Sequence, residues 1–228
     1  AAHLATRAAQ RAGAGYVRLS VPGGDAGPGA PLEAVATPLP PTGWAEEVLD
    51  GLRRFKAVVV GPGLGRGSDD DVRRLVAGTG IPMVVDGDGL TALGIHPSVP
   101  STVVLTPHDG EHERLTGHPP GADRVAAARA LAAATGAVVL LKGPTTVVAE
   151  PGGRVLLTAS GDARLATAGS GDVLSGIIAG LLAGGVPPLE AAAWAAHLHG
   201  LAAGLGPARG LVAGDLVDRL PEVLAAVG

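Results

Sequence analysis

Short unbroken apolar runs, such as 57–60 and 138–141, recur along the chain between longer stretches in which apolar and polar residues mix at helical spacing. Branched residues over so short a run fit a strand buried on both faces, and alternation with helices is the mark of a mostly parallel sheet covered by crossover helices. The chain therefore reads as α/β, doubly wound. A helix is predicted over 1–12, stopped by Gly13 and Gly15, with a strand over 16–21. Residues 23–41 read as a Gly/Pro loop, and 44–54 as a helix with Leu49 and Leu52 on one face. After a strand at 56–60, Ser68 is placed to cap a helix whose first turn carries Asp69, Asp70 and Asp71, where the helix dipole favours negative charge. Further strands are predicted at 82–85, 102–105 and 137–141, with helices at 109–115 and 122–135. A hairpin of 145–149 with 154–158 turns on Pro151-Gly152-Gly153. Two Ala-rich helices follow, 171–183 and 189–204, whose small residues imply close backbone packing. Asp215 is expected to cap a last helix to 226. No internal repeat is evident, and one domain over 1–228 is expected.

Composition narrows the class. Gly (37) and Pro (19) make up about a quarter of 228 residues, which would suggest disorder were they not interleaved with strand-like runs. Seventeen basic against 21 acidic residues leave a net charge of −4, spread along the chain, so no nucleic-acid partner is expected. With no cysteine there is no disulfide, no thiolate metal site and no Cys nucleophile. Apolar runs fall short of a membrane span and no secretory leader pattern appears, which makes a cytoplasmic protein the default expectation. The chain opens at Ala1 within a predicted helix, and a preceding segment is expected.

Gly169-Ser170-Gly171-Asp172 enters the apolar run 173–182. Glycines at the mouth of a helix bring free N–H groups against an anion, and the dipole adds positive potential, so the segment suits phosphate. Asp172 would repel phosphate, which calls for another role, taking a proton from an attacking hydroxyl; the alternative is a helix-start Asp after a tight turn. Lys142-Gly143-Pro144-Thr145-Thr146 lies at a strand end, where ligands approach open α/β sheets. Lys142, one of two lysines, suits a phosphate contact or a surface position before the hairpin. Gly61-Pro62-Gly63-Leu64-Gly65 permits close approach to a ligand, though such a loop by itself is more often a turn. His108 and His112 stand four apart among Asp109 and Glu111, a spacing that zinc uses, yet Pro107 and Gly110 favour a polar loop touching substrate. Asp86 and Asp88 fit either water-mediated Mg²⁺ or turn chemistry. His197 and His199, two apart on one helix, read as packing residues. Ser170 and Ser175 lack the context of a Ser-His-Asp hydrolase.

Taken in order, Gly61-Pro62-Gly63-Leu64-Gly65, Asp86-Gly87-Asp88, Thr106-Pro107-His108-Asp109-Gly110-Glu111, Lys142 to Thr146 and the long block around Gly169-Ser170-Gly171-Asp172 resemble the NAD(P)H-hydrate dehydratase family across essentially the whole chain. The resemblance implies a ribokinase-like fold, a three-layer α/β/α sandwich on a mostly parallel sheet. It implies dehydration of the S form of hydrated NADH or NADPH with ADP or ATP and Mg²⁺, by phosphorylation of the hydrate hydroxyl and elimination of phosphate. By the same resemblance Lys142, Gly143, Pro144, Thr145, Thr146, Gly169, Ser170 and Gly171 would bind nucleotide. Ala1, Gly63, His108 and Asp172 would contact the hydrate, and Asp172 would be the base. Relatives often form homotetramers, which the Ala/Gly helices would suit. The alternatives are a ribokinase-like small-molecule kinase acting on a vitamin precursor alcohol, and a nucleotide-binding module without turnover. Three departures stand out. Ser170 replaces a usual Thr, Asp162-Ala163-Arg164 replaces an Asn-Pro-Gly turn, and the family's first strand would precede Ala1.

Overall fold

The structure, a computed structural model, describes residues 1–25, 27 and 29–227. Helix α1 (Ala2–Arg11) leads to a short parallel pair, β1 (Arg18–Leu19) with β2 (Val35–Ala36). Helix α2 (Ala45–Gly51) tightens into a 3-10 turn over Leu52–Arg54. Then come β3 (Val58–Val60), α3 (Asp69–Gly78), β4 (Met83–Val85), α4 (Asp88–Leu93), β5 (Val103–Leu105), α5 (Asp109–Thr116), α6 (Arg124–Thr135) and β6 (Val138–Leu141). The hairpin β7 (Thr146–Ala149) and β8 (Val155–Thr158) follows, then α7 (Ser170–Ala183), α8 (Pro188–Leu205) and α9 (Ala213–Val227).

The main sheet has the order β3-β4-β5-β6-β7-β8, parallel through β6 and antiparallel across the hairpin. Its parallel strands step always in one direction, and crossovers of a single hand then fall on one side. Accordingly α2 to α6 pack on the face of Met83, Val85, Val103, Leu105, Val139 and Leu141. The opposite face, with Val84, Val104, Val138 and Leu140, is covered by α1, α7, α8 and α9, which complete the third layer. The strand runs are apolar on both faces because both faces are covered.

Close approach of α1 to α7 depends on glycine. A Cβ at Gly176 would lie 2.2 Å from the Ala5 carbonyl oxygen, and one at Gly180 would lie 2.7 Å from the Ala12 Cβ.

Four expectations change. The strand expected over 16–21 is reduced to Arg18–Leu19, and its partner β2 lies within the expected Gly/Pro loop, of which residues 26 and 28 lie outside the described residues. Helix α4 spans six residues, too few to display a helical period in sequence. Ser68 sits at the start of α3 but makes no side-chain capping bond. Asp215 lies in the first turn of α9, which starts at Ala213, and its carboxylate reaches back to accept the Val212 N–H at 2.9 Å.

Candidate active site

Strands β3, β4 and β5 end in register and β6 runs two residues further, and the residues that follow the four are Gly61, Asp86, Thr106 and Lys142. The sheet thus brings four separate sequence segments to one edge. Backbone bonds tie them: Asp86 N–H donates to the Val60 carbonyl at 3.2 Å, and Lys142 N–H to the Pro107 carbonyl at 2.8 Å. At Gly61, φ is +117° and a Cβ would fall 1.9 Å from the Asp86 carbonyl oxygen, so glycine is required for the two loops to touch.

A charged cluster occupies this edge. The Lys142 ammonium donates to Asp86 Oδ1 at 2.9 Å and sits 3.4 Å from Glu111 Oε2. Asp86, only 3% exposed, also accepts a bond from the buried Ser175 hydroxyl at 2.8 Å. Burial works to lower the Lys142 pKa, but the two carboxylates outweigh it and hold the ammonium above the usual lysine range. The surface-lysine reading is therefore replaced: this is a partly buried cation between two acids. Glu111 completes a capping box with His108, accepting the His108 N–H at 2.8 Å while His108 Nδ1 accepts from Gly110 and Glu111 N–H. With Nδ1 an acceptor, the neutral ring carries its proton on Nε2, 3.6 Å from Glu111 Oε2.

Gly169, at φ +86°, turns the chain into α7. Ser170 N–H reaches Thr167 and Val173 N–H reaches Gly169, while among the described residues the Gly171 and Asp172 N–H groups meet no backbone or side-chain acceptor. Those two donors and the dipole make an anion seat. A Cβ at Gly171 would stand 3.5 Å from the Lys142 Nζ, so the ammonium borders the seat. Beside it, Asp172 is partly buried, its Oδ2 3.8 Å from the Ala1 nitrogen. Burial raises its pKa above the ordinary carboxylate range; the Asp86 carboxylate adds to that shift, and Lys142 opposes it. A Cβ at Gly63 would come within 2.7 Å of the Ala1 Cβ. The residues expected to touch hydrate, Ala1, Gly63 and Asp172, thus form one corner, with His108 linked to it through Glu111 and Lys142. Gly143, Pro144 and Thr145 are exposed at the β6–β7 turn, and Thr146 opens β7.

Other candidates separate. His112 is buried against the His118 carbonyl, with its pKa lowered by burial, whereas His108 is half exposed and caps α5. Asp88 accepts the Gly65 N–H at 2.8 Å. His197 bonds the Ser160 hydroxyl at 3.0 Å, as expected of a packing residue. His199 is buried, and burial drives its pKa down to about 4. Sequence reasoning missed Arg124, whose guanidinium donates to the Lys142 carbonyl at 2.6 Å and to Asp109 at 2.7 Å and so pins the Lys142-Gly143 turn. It also missed Ser175 as a partner of Asp86. Neither pairing leaves a local pattern, since the members lie far apart in sequence. A larger cavity of about 500 Å³ lies between β1 and β3, contains none of the charged cluster, and is mostly apolar.

As for magnesium, among the described residues no three His, Asp or Glu gather as a metal cage. Besides Asp172, the carboxylates bordering the anion seat are Asp86 and Glu111, which already share Lys142. That donor set fits a magnesium ion carried mainly on nucleotide phosphates, with one of these carboxylates as its protein contact.

This fold and site define a ribokinase-like α/β protein. Arabidopsis thaliana ribokinase, complexed with ribose and ATP, superposes with a TM-score of 0.62 at 14% identity over 97% of this chain and 86% of that one, a likeness of fold. The NAD(P)H-hydrate dehydratase family model matches residues 1–225, and the chain belongs to that family. An ADP-dependent (S)-NAD(P)H-hydrate dehydratase of Neisseria meningitidis serogroup B is 44% identical over 185 residues, 71% of this chain and 60% of that protein. A bifunctional NAD(P)H-hydrate repair enzyme Nnr of Salinibacter ruber is 44% identical over 97% of this chain but 45% of its own length. The chain spans about a third to a half of the repair enzymes it matches. The Bacillus subtilis ADP/ATP-dependent NAD(P)H-hydrate dehydratase, co-crystallised with ATP/Mg²⁺, is 30% identical with a TM-score of 0.82, covering 100% of this chain and 87% of that one.

Proposed function

We propose that this chain dehydrates the S form of hydrated NADH or NADPH at the expense of ADP or ATP. The observation that carries the reading is a carboxylate of raised pKa, Asp172, standing next to two unspent helix N–H donors and the Lys142 ammonium. The nucleotide's terminal phosphates would rest on the Gly171 and Asp172 N–H groups, with Lys142 to Thr146, Gly169 and Ser170 framing them. Ala1, Gly63 and His108 would hold the hydrate. Asp172 would take the proton of the ring hydroxyl, whose oxygen attacks the terminal phosphorus and releases the shortened nucleotide. Phosphate is a far better leaving group than hydroxide. Its departure, pushed by the ring nitrogen, and loss of a proton from the adjacent ring carbon restore the dihydronicotinamide. Magnesium bound to the phosphates would neutralise their charge. We place the reaction in the cytoplasm, within one ribokinase-like domain. We also expect a homotetramer, which the close-packed Ala/Gly helices would suit.

The test is incubation with the S hydrate and ADP or ATP, following reduced-nicotinamide absorbance and free phosphate together. Both should rise in equal amounts. A stable phosphorylated product would make the chain a kinase, and nucleotide binding without phosphate release would make it a binding module.

A further inference from the structure

Two guanidinium groups near the site have no evident task. Arg73, Arg74, Arg124 and Arg154 each hold a carboxylate, whereas Arg66 and Arg114 have no hydrogen-bond or ion-pair partner among the described residues. Both line one polar pocket of about 280 Å³. Arg66 is held out between Gly65 (φ +75°) and Gly67 (φ +97°), and a Cβ at either glycine would meet nothing within 4 Å, so the space before this turn is open. Arg114 projects from α5, three residues after Glu111.

Three carboxylates also line the pocket, Asp69, Asp88 and Glu111. Each is already occupied or offset. Glu111 serves Lys142 and the His108 N–H, Asp88 accepts the Gly65 N–H, and Asp69 lies in the first turn of α3, where the helix dipole meets its charge. Among the described residues the two arginines are left without a direct hydrogen-bond or ion-pair partner, and the guanidinium fork suits phosphate oxygens. Glu111 is shared between this pocket and the catalytic corner, and Gly63 lies two residues from the Gly65 turn. The pocket therefore adjoins the site through Glu111 and, along the chain, through the Gly63 to Gly65 turn.

We infer that Arg66 and Arg114 form a second anion subsite, which binds phosphate oxygens of the hydrated dinucleotide itself while its ring is held at Asp172. The inference rests on the dehydratase reading. Two sources can supply those oxygens, the diphosphate bridge common to both hydrates and the 2′-phosphate found only in the NADPH form.

The experiment measures KM for both hydrates and for ADP in Arg66→Gln, Arg114→Gln and the double variant. A lost charge-assisted contact is expected to raise hydrate KM about tenfold or more, and the double variant should exceed either single. The ADP KM should stay within twofold. Equal losses for both hydrates assign the subsite to the diphosphate, and a loss confined to the NADPH hydrate assigns it to the 2′-phosphate; either supports the inference. Hydrate KM values within twofold of wild type, or an ADP KM that rises in step with them, overturn it. Should the wild type turn over neither hydrate, the dehydratase reading fails by itself, and calorimetry with NADPH still decides the subsite. Binding by wild type that the double variant loses upholds it; equal binding by both, or none by wild type, refutes it.

Discussion

The two halves of α7 use glycine for opposite ends. At its mouth, Gly171 keeps a side chain away from a polar corner where backbone donors and the Lys142 ammonium stay accessible. One to two turns later, Gly176 and Gly180 admit the α1 backbone, and there the missing side chain is replaced by packed protein. One end is emptied for a ligand, and the other is filled to make the first rigid. The contrast teaches that a glycine's role is set by what stands opposite it, since the residue is the same in both places.

The largest effect should come from the open end. Asp172→Asn is expected to lower turnover of the S hydrate by about 10²–10⁴, roughly 3–5 kcal/mol of barrier. Near-normal turnover would break the comparison at its polar end. The same change should leave the fold intact or firmer. Because the folded pKa of Asp172 is raised, its ionisation costs stability as pH rises through the interval between the unfolded value of 3.8 and that raised value. Thermal melts should then show the Asn variant gaining on wild type as pH increases across that window and matching it below. For the same reason, turnover should fall on the acid side at a higher pH than an ordinary carboxylate would give.

Next in size is Lys142→Met, which strands Asp86 and Glu111 in a partly buried place. A loss of about 3 kcal/mol is expected in chemical denaturation, along with weaker nucleotide binding, and a variant as stable as wild type would show that the cluster does not depend on its cation. At the filled end, Gly176→Ala forces a methyl against the Ala5 carbonyl and should cost about 1–3 kcal/mol as α1 shifts. Gly171→Ala, whose Cβ would meet its nearest neighbour at 3.5 Å, should cost far less stability while impairing nucleotide binding. Reversal of that order would sink the contrast. The last effect is confined to acid pH and concerns His199, buried and neutral, with its pKa lowered from 6.5 to about 4. A depressed value means that stability is present above the unfolded pKa and drains as pH falls towards 4, by about 2 kcal/mol near pH 5. His199→Gln should flatten that acid limb in melts recorded from pH 7.5 to 5.

Much of this was legible beforehand because it is local. The runs at β4, β5 and β6 announce strands buried on both sides, and the loops that follow them carry the reactive residues, so their meeting at one sheet edge follows from parallel topology alone. Gly169 to Asp172 offered an anion seat or a plain helix start through its own spacing. What escaped is long-range or short. Lys142 and Asp86 are 56 residues apart, and Ser175 and Asp86 are 89 apart. No pattern within one element links them. Strand β2 has two residues and α4 has six, so neither displays a period.

By itself, the order of residues determined which segments become the strands of the main sheet, where most of the longer helices begin, and which four loops could carry chemistry. Each of those depends on neighbours within a few positions. The tertiary structure alone decided that Lys142 lies between two acids, that Arg124 fixes its turn, that His108 caps a helix, and that Arg66 and Arg114 face one pocket. Such pairings depend on which distant groups the packed layers bring within a few ångströms and remove from water, and charge and burial act through space irrespective of distance along the chain.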